Sequence, residues 1–197
     1  MLQECVECTV VFLMRNNRVL LARGKKRMNK GLWNGYGGKK DPNETIRRTA
    51  CREAAEEGGV LIQEMDLVYL GVMDFCWPTQ GADVGVKGVK VVRSYMFVAH
   101  NWEGEPIETD ESECPTWYDP EKVPYDTMFP AEQCWLPFLL AGRHFLGSVV
   151  YAQKRKWALK FKKSKWGVPV LTVRENTVEV LSDTVWEVPR EALPPLR

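Results

Sequence analysis

The 197-residue chain has no long hydrophobic run. Nothing in it approaches the roughly 18 apolar residues of a membrane span, so no membrane partner is expected. It also lacks a charge excess: 27 basic and 26 acidic residues leave a net charge of +1, which argues against a chain built as a whole to bind nucleic acid. Histidine occurs only twice, as His100 and His144, and neither falls in a motif. The start of the chain does not read as a secretory signal, because Glu4 and Glu7 interrupt it and a strand pattern follows directly. There is no internal repeat and no low-complexity linker. Cysteine occurs six times but scattered, unlike a disulfide scaffold. Cys5 and Cys8 form one Cys-x-x-Cys, with no second pair to complete a tetrahedral zinc site. Reduced, structural cysteines are expected, hence a cytoplasmic type of compartment, with nucleus or mitochondrion as alternative addresses.

With 45% hydrophobic residues the chain can build one ordinary core, and a single domain over 1–197 is expected. Residues 8–24 read as a hairpin, turning at Arg15, Asn16 and Asn17. Further strands are predicted over 67–75, around 90–102 and near 116–118. A turn-rich connection follows at 78–88. Residues 131–145 read as a helix with Pro130 in its first turn, its Trp135, Phe138, Leu139 and Leu140 facing a sheet and Pro137 an irregularity inside it. The remainder, 151–197, reads as a β-rich extension. Residues 154–165 carry seven positive charges, no acid and interleaved aromatics. A solvated ribbon face is the reading taken for them; phosphate contacts and base stacking are the alternative. No nucleic-acid partner is expected.

The informative stretch is 38–60, GKKDPNETIRRTACREAAEEGGV. Residues 45–57 are mostly good helix formers, preceded by Pro42 and stopped by Gly58 and Gly59. A helix there puts Glu53, Glu56 and Glu57, at i, i+3 and i+4, on one face. Like charges at that spacing oppose the helix by a few tenths of a kcal/mol each, and two sit at its C-terminal end, where the macrodipole disfavours anions. A hard divalent cation with oxygen ligands, such as Mg²⁺, would reverse both costs. The alternative is a solvated acidic edge balanced by Arg47, Arg48 and Arg52. Just upstream, WNGYGGK places Gly35, Gly37 and Gly38 within four positions, a loop whose backbone can approach a ligand closely.

Gly38, Glu44, Arg52, Glu53, Ala54, Glu56, Glu57, Gly59 and Val60 together match every defined position of the Nudix signature, and the chain is identified as a member of the Nudix hydrolases. The segments RVLLARGKKR, WNGYGGK, PIETDES and VPYDTMFPAEQCWLPFLL resemble, in order, the MutT-type branch that hydrolyses 8-oxo-dGTP. The resemblance implies an α+β fold, a mixed β-sheet sandwiched between helices. It implies a Mg²⁺-dependent hydrolase (Mn²⁺ a substitute) converting oxidised purine nucleoside triphosphates to monophosphate plus pyrophosphate, working as a monomer. Carried over residue by residue, Glu53, Glu56, Glu57 and Glu111 would hold metal or take a proton, with Gly37 and Gly38 completing the metal site and Arg52 orienting a carboxylate. Thr9, Met28, Asn34, Tyr36, Gly37, Gly38, Lys39, Phe129, Pro130, Ala131 and Glu132 would line the substrate site. Here the chain departs from the branch. Met28 and Phe129 replace two other aromatics, and Ala131-Glu132 stands where the branch has two aspartates. The alternatives are a Nudix hydrolase of a dinucleoside polyphosphate or nucleotide sugar, or a non-catalytic nucleotide- or RNA-binding module.

Overall fold

A computed structural model describes residues 5–26, 29–78, 89–153 and 178–196. Met28 and the basic run 154–165 lie outside these residues.

Strand β1 (Cys5–Arg15) and strand β2 (Arg18–Gly24) form the hairpin expected from sequence. Its turn uses Asn16 and Asn17 at φ 53° and 57°, and asparagine is among the few residues that accept two successive positive φ angles. β3 (Trp33–Asn34) and β6 (Ser112–Tyr118) both pair antiparallel with β2. On its other side β1 runs parallel to β5 (Val89–Ala99), which pairs antiparallel with β4 (Leu67–Pro78). β7 (Phe145–Gln153) lies parallel to β4, and β8 (Val178–Glu187) closes that edge antiparallel to β7. The order is β3-β2-β1-β5-β4-β7-β8, a mixed sheet.

Strand alternation divides the core between the two faces. Val11 and Leu13 of β1 join Tyr95 and Phe97 of β5 under helix α1 (Ile46–Gly58), which contributes Ile46, Ala50 and Ala54. Phe12, Met14, Met96 and Val98 point the other way, toward helix α2 (Glu132–Leu140) and its Trp135, Leu136 and Leu139. The two helices therefore sandwich the sheet.

Three expectations need correction. α2 is shorter than 131–145: the chain turns at Gly142, φ 67°, and residues from Phe145 onward form β7. Pro130 precedes α2, whose N-cap is Ala131. Leu136, not foreseen, is fully buried, because the buried stripe follows 132, 135, 136 and 139; Phe138 and Leu140 pack against the same core as expected, though only partly buried. Pro137 does lie inside the helix; it and Gln133, whose carbonyl loses a partner, are both exposed.

Candidate active site

β1 meets β2 only at Met14 and Arg15, so its edge from Glu7 to Val11 needs another partner. The glycine loop supplies it. The Val11 N–H donates to the Tyr36 carbonyl at 2.7 Å, the Thr9 N–H to Gly38 at 2.9 Å, and the Lys40 N–H to Glu7 at 2.9 Å. The approach leaves no room for side chains: a Cβ on Gly37 would lie 2.0 Å from the Thr9 carbonyl oxygen, and one on Gly38 would lie 2.5 Å from the Glu53 carboxylate.

α1 follows. Thr45 caps it, its hydroxyl accepting from the Arg48 N–H, and Gly59 ends it at φ 68°. Arg52 is the hub of its acidic face. The guanidinium donates to both Glu44 oxygens, at 2.8 and 3.0 Å, to Glu53 Oε1 at 2.8 Å, to Glu56 Oε2 at 2.9 Å and to the Lys39 carbonyl at 3.2 Å. The Thr49 hydroxyl adds a bond to Glu44 at 2.9 Å. Bonding to Arg52 holds the Glu44 carboxyl down at about 2. Glu53 is buried, and that burial pushes its pKa up against the pull of Arg52. Glu57 accepts the Gly37 N–H at 2.8 Å, tying the helix to the loop.

A second loop docks on the end of α1. The Thr109 and Ser112 hydroxyls donate to the Glu57 carbonyl at 3.0 and 2.6 Å, and the Ile107 N–H donates to Gly58 at 3.0 Å. These bonds satisfy carbonyls that a helix end leaves open, and they carry Glu111 to the acidic face. Glu53, Glu57 and Glu111 line one cavity of about 240 Å³ together with Lys26, Lys39 and Asn34. Glu56 is not among its lining residues; it stands exposed, paired with Arg52.

A second cavity, of about 170 Å³, opens beside it on the α2 face, lined by Val10, Phe75, Met96, Phe129, Glu132, Trp135 and Tyr151 among others. The two share Cys8, Asn29, Asn34, Gly35 and Gly37. Glu132 is buried, and among the described residues its Oε2 has no hydrogen-bond partner; the indole N–H of Trp135 has none there either. Burial raises the Glu132 pKa well above its ordinary value, which favours the protonated carboxyl. A buried polar atom without a partner costs roughly 1–3 kcal/mol, which a ligand can recover.

Several expected residues fall elsewhere. Ala131 packs in the core and does not line the second cavity, and Pro130 is buried behind it. The Tyr36 ring lies beneath α1 against Gly58, touching only the wall of the carboxylate cavity. Gly38 supports Glu53 without lining either cavity. Thr9 lines the second cavity, and its buried hydroxyl has no partner among the described residues. Sequence reasoning missed Cys8, Lys26, Asn29, Phe75, Ser94, Met96, Trp135 and Tyr151, all cavity-lining. Strand alternation with Val10 and Phe12 is the signal that would have put Cys8 on the α2 face.

Among the described residues no three acidic, cysteine or histidine side chains form a ready metal cage, since Glu53 and Glu56 each turn an oxygen to Arg52. The donor set nevertheless suits a hard divalent cation. It is all oxygen, it faces a glycine cradle that a Cβ would fill, and Glu53 is a buried carboxyl whose charged form needs compensation.

The chain belongs to the Nudix family: the NUDIX domain matches it over residues 6–139. It is a Nudix hydrolase, an enzyme acting on phosphoric anhydride bonds. It is 35% identical to the oxidized purine nucleoside triphosphate hydrolase of Danio rerio over 139 residues, 71% of this chain and 82% of that protein. The Mus musculus protein of the same name is 31% identical with the same coverage. In structure it resembles the MutT protein of Bacillus halodurans, with a TM-score of 0.64 and 21% identity over 91% of this chain and 97% of the other. A MutT NUDIX hydrolase from Burkholderia pseudomallei gives 0.51 at 26% identity, covering 62% and 88%.

Proposed function

We propose that the protein hydrolyses oxidised purine nucleoside triphosphates such as 8-oxo-dGTP to monophosphate and pyrophosphate, clearing them from the nucleotide pool with Mg²⁺ as cofactor and Mn²⁺ as substitute. The observation that carries this reading is the junction of the two cavities. An acidic, lysine-flanked cavity and an aromatic-lined one, whose Thr9, Glu132 and Trp135 carry polar atoms with no partner among the described residues, share five lining residues, so one elongated ligand can fill both. A flat polar base suits the second cavity: Phe129 supplies a ring, Asn34 an amide, and Glu132 a buried carboxyl that accepts hydrogen bonds and, when protonated, donates one. The names carried by the zebrafish and mouse relatives agree with that choice.

In the first cavity Glu53, Glu57 and Glu111, with the exposed Glu56 beside them and the backbone of Gly37, would hold the cation, while Gly38 only leaves room for Glu53. When bound, it neutralises phosphate charge and acidifies water. The chain's own contribution is positioning. Arg52 fixes two carboxylates, the Gly37 N–H fixes a third, and the loop at 107–112 brings in the fourth. A monomer and a reducing compartment such as the cytoplasm complete the proposal, the latter resting on six cysteines scattered along the sequence rather than spaced as a disulfide scaffold. One observation favours a second reading, another nucleoside diphosphate derivative as substrate: with Ala131 in the core, the base pocket holds a single carboxyl. The test is a panel of normal and oxidised nucleotides, dinucleoside polyphosphates and nucleotide sugars with Mg²⁺, with products identified. The highest kcat/KM is expected for an oxidised purine triphosphate, with pyrophosphate released. Preference for a diphosphate-linked substrate would overturn it.

A further inference from the structure

The cations around the carboxylate cavity are not equivalent. Arg52 is held by Glu44, Glu53 and Glu56, and Arg23 by Glu113 at 2.6 Å. Lys25 is bound into the scaffold, its Nζ on the Thr109 carbonyl at 2.5 Å and its N–H on the Glu111 carbonyl at 2.8 Å. Lys26 differs. It lines the cavity and meets Glu111 Oε1 at 3.7 Å, a long pair with side chains 51% and 37% exposed. Such a pair contributes at most about 1 kcal/mol, so it exchanges cheaply. The Lys25 bond to the Glu111 backbone keeps the two loops in place while it does so.

We propose that Lys26, beside Lys39 in the lining of the same cavity, is a polyphosphate-binding cation of this site, and that it leaves Glu111 for phosphate when substrate enters, turning that carboxylate over to the cavity. The inference rests on the triphosphatase reading above. It makes Lys26 a substrate-binding residue and its pair with Glu111 an exchangeable one.

Binding measured by calorimetry tests it, using the full chain with the non-hydrolysable α,β-imido analogue of 8-oxo-dGTP and with 8-oxo-dGMP, both in Mg²⁺. Lys26→Gln is expected to weaken the triphosphate analogue by about tenfold or more, leave the monophosphate within about twofold, and leave the thermal midpoint unchanged, with Lys26→Arg restoring much of the loss. In EDTA, Glu111→Gln should tighten the analogue by about threefold, because Lys26 is already released. Equal losses for both ligands, no loss for either, or no tightening in Glu111→Gln would overturn the assignment. A wild-type protein that does not prefer triphosphate to monophosphate would instead overturn the functional reading, and the role of Lys26 with it.

Discussion

Two carboxyls in this molecule are driven in opposite directions, and each has a measurable consequence. Glu44, bonded to Arg52 and Thr49, is held at about 2, below its ordinary 4.5. A depressed acid stabilises the fold fully above its unfolded value and loses that contribution as pH falls through the folded one. Between about 4.5 and about 2, then, the thermal midpoint of wild type should fall more steeply than that of Glu44→Gln; parallel curves would mean the pair adds nothing. Glu132 is the reverse case, a buried carboxyl with an oxygen that has no partner among the described residues. Replacing it by Leu should cost about 10- to 100-fold in kcat/KM toward an oxidised purine while raising the thermal midpoint, because a desolvated polar atom is removed. Loss of both activity and stability would make Glu132 merely structural. At this scale the sequence was legible where spacing alone fixes proximity: Glu53, Glu56 and Glu57 follow from helical periodicity. It was silent on which of them faces the cavity, because the exposed Glu56 is paired with Arg52.

The loop and helix that build the acidic face depend on two adjacent glycines for different reasons. At Gly37 a methyl group meets backbone, 2.0 Å from the Thr9 carbonyl oxygen; at Gly38 it meets the Glu53 side chain. Gly37→Ala should therefore destabilise the fold by roughly 1–3 kcal/mol, since strand β1 and the loop must part. Gly38→Ala should cost less stability, because a side chain can swing aside, but should lower kcat by displacing Glu53. Thermal unfolding and turnover measured on the pair check this, and the reverse order would contradict the account. Element ends followed the residues that set them. α1 runs from its Thr45 cap to Gly59, as its formers and stop residues imply. α2 ends early because Gly142 takes a positive φ, while the apolar residues beyond it belong to a strand. Short apolar runs do not distinguish these outcomes.

In the molecule as a whole, the cavities exist because of pairings that no local pattern reveals. β1 and β5 run parallel, far apart in sequence, and the glycine loop fills the edge of β1 that β2 leaves bare. That arrangement brings Asn34 and Gly37 between Glu57 on one face and Phe129 on the other. The fold class was readable from family spacing and strand–helix alternation. The composition of the base pocket was not, because it draws on four strands, the glycine loop and α2. The most direct measurement is a crystal structure with 8-oxo-dGMP and Mg²⁺. The purine is expected beside Phe129 and bonded to the Glu132 carboxyl and Asn34, with its phosphate directed past Gly37 toward Glu53 and Glu57. A base seated outside the Glu132 pocket, or a phosphate turned away from the acidic face of α1, would contradict the account.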